Sequence, residues 1–236
     1  MLPIKDNVPT RTFPYVTVAL IAINVAVWLA EITGTSVDND VFHYGYYPCS
    51  LDGPCVEPAT LVHHVAWYEG IFTSMFLHGS WLHIGGNMLF LWIFGNNVED
   101  ALGHAVFLVW YLAAGLAATA VQTVVTLAFS VPAGASIPNV GASGAIAGVL
   151  GAYIVLLPTA SVLTAFIVVI LVFLREIPAV LFIGIWFLFQ LWEGSFAIIQ
   201  PQSGGGVAFF AHIGGFVFGL LTIRVFAKQR PLRPRW

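Results

Sequence analysis

The chain has 236 residues, of which 59% are hydrophobic and only 8% charged, with a formal net charge of −3. A soluble domain carries about 25% charged residues, so this composition excludes an ordinary water-facing surface. No basic stripe is present, and no nucleic-acid partner is expected.

The apolar residues fall in long blocks. A membrane span needs roughly 20 of them, within a range of about 17–25. Six blocks are candidates, at 13–30, 83–98, 105–129, 141–157, 177–199 and 207–226. They predict an all-α membrane protein, a bundle of six transmembrane helices over 13–228. A short segment 1–12 precedes it and a basic tail 229–236 follows.

Lys5 and Arg11 precede the first block, as basic residues precede the core of a signal peptide. However, Glu31, Ile32, Thr33 and Gly34 match a small-x-small cleavage site poorly, and the block is long enough to span. A retained anchor is expected. All Lys and Arg lie at positions 5, 11, 175, 224, 228, 230, 233 and 235. Basic residues collect in cytoplasmic loops, which puts both termini and the Arg175 loop inside and requires an even number of spans. The expected placement is multi-pass in the cell membrane, both termini cytoplasmic. Segment 31–70, with Asp38, Asp40, Asp52, Glu57 and Glu69 but no Lys or Arg, then faces outward.

Cys49 and Cys55 lie in that outward loop around Asp52-Gly53-Pro54. An oxidising side permits a disulfide, with two free thiols as the alternative. Two cysteines without a second pair are a weak zinc signal, and neither metal nor cofactor is expected.

Polar groups inside a span are costly, and by default functional. Three clusters stand out. His83 and Asn87 start the second block four residues apart, on one helix face, with His78 just before them. Interhelical hydrogen bonding is the bland reading of these residues. Ser143 opens the fourth block amid Gly141, Gly144, Gly148 and Gly151, where small-xxx-small spacing permits close helix approach. His212 sits a few residues into the last block, where Ala211, Gly215 and Gly219 make a second smooth face. Two smooth faces can pack closely, bringing Ser143 and His212 within hydrogen-bond reach as an activated nucleophile and its base.

Segment 161–174 is mostly Val, Ile, Leu and Phe and too short to span. A crossing there would also put Ser143 and His212 on opposite faces. It is expected in or near the cytoplasmic interface.

Together these residues resemble the rhomboid family of intramembrane serine proteases. The likeness runs from about Trp67 to Gly219. It rests on Thr73 to His78, on His83 and Asn87, on Gly141-x-Ser143-Gly144, and on Ala211-His212-x-x-Gly215-x-x-x-Gly219. The resemblance implies Ser143 as nucleophile and His212 as general base. It implies His78, Asn87 and the Ser143 backbone amide as the oxyanion hole, and His83 as structural. The substrates implied are transmembrane proteins in the lipid bilayer.

Two features depart from the family pattern. Ala147 stands where an aromatic residue often packs on the histidine, so another side chain must orient His212. Trp67-Tyr68-Glu69-Gly70 replaces the Trp-Arg dipeptide that some members carry.

No Asp or Glu lies near the outward end of the fourth or sixth block, so a dyad is what the sequence supports. Block 141–157 is about 25 Å long at 1.5 Å per residue, shorter than the roughly 30 Å hydrocarbon core. Its outward end should therefore sit in a wet depression. The loop 200–206 is a candidate lid and the fifth helix a candidate lateral gate. A transporter would show intramembrane charges along a path or two repeated halves. A metalloprotease would show H-E-x-x-H. Neither pattern is present.

Overall fold

The computed structural model describes residues 1–34, 36–51, 55–56, 63–168, 170–199, 208–228 and 231–234. The chain begins with a strand, β1 (Leu2–Asp6), and enters helix α1 (Tyr15–Thr33). The buried residues of α1 are Thr17, Leu20, Asn24, Trp28 and Glu31. Steps of three and four put them on one stripe, while the remaining faces are apolar, as lipid requires. The first N–H groups of a helix lack intrahelical partners. Here the distant Glu99 carboxylate accepts from Val16 N at 2.9 Å and from Thr17 N and Oγ1 at 2.7 Å each. Its negative charge also complements the positive end of the helix dipole.

The following loop contains α2 (Val37–Tyr44) and α3 (Trp67–Thr73). Ser36 caps α2 by accepting from Asn39 N at 3.1 Å, the usual role of a serine at that position. Cys49 and Cys55 are joined as a disulfide. Asp52 and Glu57 lie outside the described residues. Trp67, at the place of the absent dipeptide, is exposed and anchors nothing in the core. Anchoring falls instead to two buried tyrosines. The Thr123 hydroxyl donates to Tyr46 Oη at 3.0 Å, and Tyr46 forms a β-bridge with Asn139. Tyr47 Oη donates to the Phe42 carbonyl at 2.7 Å.

Helices α4 (Trp81–Phe90) and α5 (Asn96–Leu102) are joined without a break by a π turn at Leu91–Gly95. Gly103, at φ 79°, then turns the chain directly into α6 (His104–Phe129). A left-handed turn of this kind suits glycine, which has no Cβ to clash. A short helix, α7 (Pro132–Ala135), leads to α8 (Ser143–Leu156). Helix α8 is the central one: every residue from Gly144 to Tyr153 is buried. Its 14 residues span about 21 Å.

The all-α expectation does not hold. β2 (Ser161–Val168) and β3 (Leu171–Pro178) form an antiparallel hairpin, pairing Ser161 with Pro178 and Val168 with Leu171. β1 adds to the other edge of β2, pairing Leu2 with Ala165 and Asp6 with Val162. Val, Ile, Thr and Phe favour a pleated surface, a preference that length and hydropathy do not register. Among the described residues the fold is thus mostly helical with one three-stranded sheet.

After the sheet come α9 (Ala179–Ile199) and α10 (Phe209–Phe226). α10 lies along α8 so closely that a methyl group at Gly215 or Gly219 would overlap the carbonyl oxygens of Gly144 and Gly148. Among the described residues, four helices are long and apolar enough to cross a membrane: α1, α6, α9 and α10.

The sheet sits at the end of α8 remote from Ser143. Asp6 accepts there from Tyr153 Oη at 2.6 Å and from Asn97 Nδ2 at 2.7 Å. Asp100 accepts from the backbone of Arg11 and Thr12 at 3.0 and 3.1 Å. Lys228 N reaches the Ala101 carbonyl at 2.9 Å. The two ends of the helical bundle therefore differ in kind. One is tied by carboxylates and a sheet, and the other holds the candidate site.

Candidate active site

Gly141 sets the position of Ser143. Its φ of 121° lies where L side chains are strained, and its N–H donates to the Ser74 carbonyl at 2.8 Å. A Cβ there would come within 2.7 Å of His83 Nε2. The turn delivers Ser143 as the first residue of α8, where backbone N–H groups have no intrahelical partner.

His212 arrives from α10. Its neighbour's N–H, that of Ala211, is held by Gln122 Oε1 at 3.1 Å. The contact of Gly215 with Gly144 one turn further on draws the two helix starts together. His212 Nε2 then lies 2.8 Å from Ser143 Oγ. On its other side Nδ1 lies 2.7 Å from Gln190 Oε1. The Trp186 ring stands 5.7 Å from the imidazole, centroid to centroid. Ala147 is fully buried, so these two α9 side chains occupy the orienting place that the sequence left open. Gln190 was missed, although a lone amide inside an apolar block is the kind of signal that asks for an explanation.

The two α4-side histidines differ in their surroundings. His78 is 0% exposed, and both its ring nitrogens are engaged. Nδ1 lies 3.2 Å from the Phe76 carbonyl and Nε2 lies 3.0 Å from Asn87 Nδ2. A carbonyl only accepts and an amide N–H₂ only donates, so the proton sits on Nδ1 and Nε2 is an acceptor. No N–H of His78 is left to donate into the site. Burial, aided by the nearby His83, pushes its pKa down to about 4, which keeps it neutral. His78 is therefore a support for Asn87.

His83, expected to be structural, stands in the cavity wall with Ser143, Asn87 and His212. Its Nδ1 accepts from Gly79 N at 3.4 Å, leaving the proton on Nε2. That nitrogen and Ser143 Oγ both lie within 3.6 Å of the point where a Gly141 Cβ would stand. His83 and Asn87 thus present two N–H donors beside the serine.

The cavity encloses about 550 Å³, between α4 on one side and α8, α9 and α10 on the other. A second, smaller cavity of about 30 Å³ lies behind Ser143, lined by Ser74, Gln122 and Asn139 among others. The segment expected to act as a lid, 200–206, lies outside the described residues.

A family model described as the rhomboid domain matches residues 65–229. The chain belongs to the rhomboid family. It is 31% identical over 174 residues to the presenilin-associated rhomboid-like protein, mitochondrial, of Bos taurus. It is 31% identical over 169 residues to Rhomboid protein 1, mitochondrial, of Saccharomyces cerevisiae. Each match covers 69% of this rhomboid, but only 41% and 44% of those relatives. The chain thus spans less than half the length of either. It is also 31% identical over 148 residues to the rhomboid protease GluP of Bacillus subtilis, covering 63% of this chain and 25% of that one. The mitochondrial names overturn the expectation of a cell-membrane protein. The membrane character of this rhomboid stands on its apolar helices.

Proposed function

We propose that this rhomboid is an intramembrane serine protease that hydrolyses peptide bonds in or near transmembrane segments of other membrane proteins. The observation that carries this reading is the 2.8 Å approach of Ser143 Oγ to His212 Nε2 in the wall of a helix-bounded cavity. Ser143 attacks the scissile carbonyl while His212 Nε2 takes the hydroxyl proton. The developing oxyanion is held by the Ser143 backbone N–H, the His83 Nε2–H and the second N–H of Asn87 Nδ2. His212 then gives its proton to the leaving amine. A water, deprotonated in turn by His212, releases the acyl group. The small cavity behind Ser143, lined in part by Ser74, Gln122 and Asn139, has room for a water molecule.

The membrane domain is 13–228 and crosses six times. The run Trp81–Leu102 and the short α8 join the four longer helices as spans. Segments 1–12 and 229–236 flank this domain, and loop 31–70 lies over the site face. At about 21 Å, α8 is shorter than the roughly 30 Å hydrocarbon core, which sinks Ser143 below that face while leaving it open to water. The segment to be cut enters between α4 and α9, the two helices that border the larger cavity.

The test is cleavage of a model transmembrane substrate in detergent or liposomes by the wild type, Ser143→Ala and His212→Ala. Both variants should lose cleavage by at least about 10³-fold. Undiminished cleavage by either one sinks the assignment.

A further inference from the structure

Gln190 is an amide only 7% exposed, in the middle of the mostly apolar helix α9, whose other polar residues, Glu193 and Ser195, lie further along the chain. Burying such a group is costly unless both ends of the amide are used. Both are used. Nε2 donates to the Trp186 carbonyl one turn back at 3.3 Å, and Oε1 lies 2.7 Å from His212 Nδ1. A backbone carbonyl can only accept, so the amide nitrogen must face Trp186 and the oxygen must face the imidazole. The amide oxygen likewise can only accept, so His212 carries its proton on Nδ1. The lone pair on Nε2 then points to Ser143 Oγ, 2.8 Å away. That is the tautomer a general base needs. Trp186, one turn earlier on the same helix, borders the other side of the ring.

We infer that Gln190 is the positioning residue of the dyad, fixing the tautomer and ring orientation of His212 from α9. The inference rests on the reading of Ser143 and His212 as nucleophile and base. In a buried site a carboxylate would carry a desolvation cost of its own. The neutral amide orients the ring without it. α9 borders the cavity on the side opposite α4, and the base is aligned from that same helix.

The test separates activation of the serine from entry of a large substrate. A small fluorophosphonate reports nucleophilicity at Ser143 without needing a helix to enter. Its second-order labelling rate is measured for the wild type and for Ser143→Ala, Gln190→Leu, Gln190→Met and Gln190→Glu. Thermal melting identifies which variants remain folded. If Gln190→Leu fails to fold, the flexible Gln190→Met serves in its place.

Loss of the acceptor should slow labelling by about 10–100-fold, within the range of general-base effects. It should lower kcat on a transmembrane substrate by a similar factor with KM unchanged. Gln190→Glu keeps an acceptor oxygen at the same place and should recover most of the rate. Wild-type labelling by the folded apolar variant overturns the inference, as does equal slowing in the apolar and Glu variants. If Ser143→Ala labels or cleaves like the wild type, the dyad itself is wrong, and the two failures are told apart.

Discussion

Ser143 and His212 announce themselves because a hydroxyl and an imidazole beside bare glycines, at the starts of apolar blocks, have few other reasons to be there. The parts played by His78 and His83 were harder to read. Both are histidines near one helix start, and only the engagement of each ring nitrogen separates them. That depends on the Phe76 and Gly79 backbone, which no residue pattern encodes. The assignment has a direct consequence. His83→Ala should lower kcat by about 10²–10³ with a melting temperature near that of the wild type. Asn87→Ala should lower kcat alike but also lose stability, because the buried His78 Nε2 loses its donor. His78→Ala should instead destabilise the protein by about 1–3 kcal/mol, because a buried N–H of Asn87 loses its acceptor. Parallel kinetics and thermal melts of the three variants check this. A stable His78→Ala protein with a selective kcat loss would return His78 to the oxyanion hole.

At the scale of the elements, the α8–α10 contact decides the site's geometry. Gly144, Gly148, Gly215 and Gly219 let two backbones meet, and the meeting sets the distance between serine and histidine. Gly219→Ala, more than one turn from His212, should force α10 outward, cost about 1–3 kcal/mol through overpacking, and lower activity with stability. A melting curve and cleavage rate both equal to the wild type would show that the contact has slack. This contact was readable from spacing alone, since small-xxx-small is a local pattern. The hairpin at 161–178 was not. Its Val-, Ile- and Phe-rich run is apolar on both faces in sequence, so alternation gave no sign of a strand, and its length argued only against a span. The role of α9 was equally hidden, because an oriented base requires a residue from a third helix.

The whole molecule is organised about its two ends. At the end remote from Ser143, Asp6 joins β1 to Tyr153 on α8 and Asn97 on α5. Burial raises its pKa from 3.8 to about 6, although the Tyr153 hydrogen bond opposes the shift. The folded protein therefore holds a proton between about pH 4 and 6 that the unfolded chain has released. Stability from this group is fully present below about pH 4, falls as the pH rises to about 6, and is level above that. Asp6→Asn does not titrate. Melting temperatures of the two proteins should converge on acidification from pH 6.5 to 4.5, with the wild type gaining on the variant. Curves that stay parallel across that range would remove Asp6 from the account. None of this joining was visible in the sequence, because Asp6 and Tyr153 are 147 residues apart along the chain.

The pairing of β1 with β2 has a bearing on how the protein is made. Residues 2–6 leave the ribosome long before the strand that completes them, 161–168, which follows only after α1, α4, α5, α6 and α8 have been synthesised. Until then β1 is an open edge, able to pair with other chains. Its late closure is a non-local step, and such steps are slow. The two strands meet only if insertion has left them on the same side of the bilayer. A nascent chain with α1 inverted keeps both edges exposed. The sheet can thus close only in a molecule whose α1 runs in the direction that leaves β1 and β2 on one side.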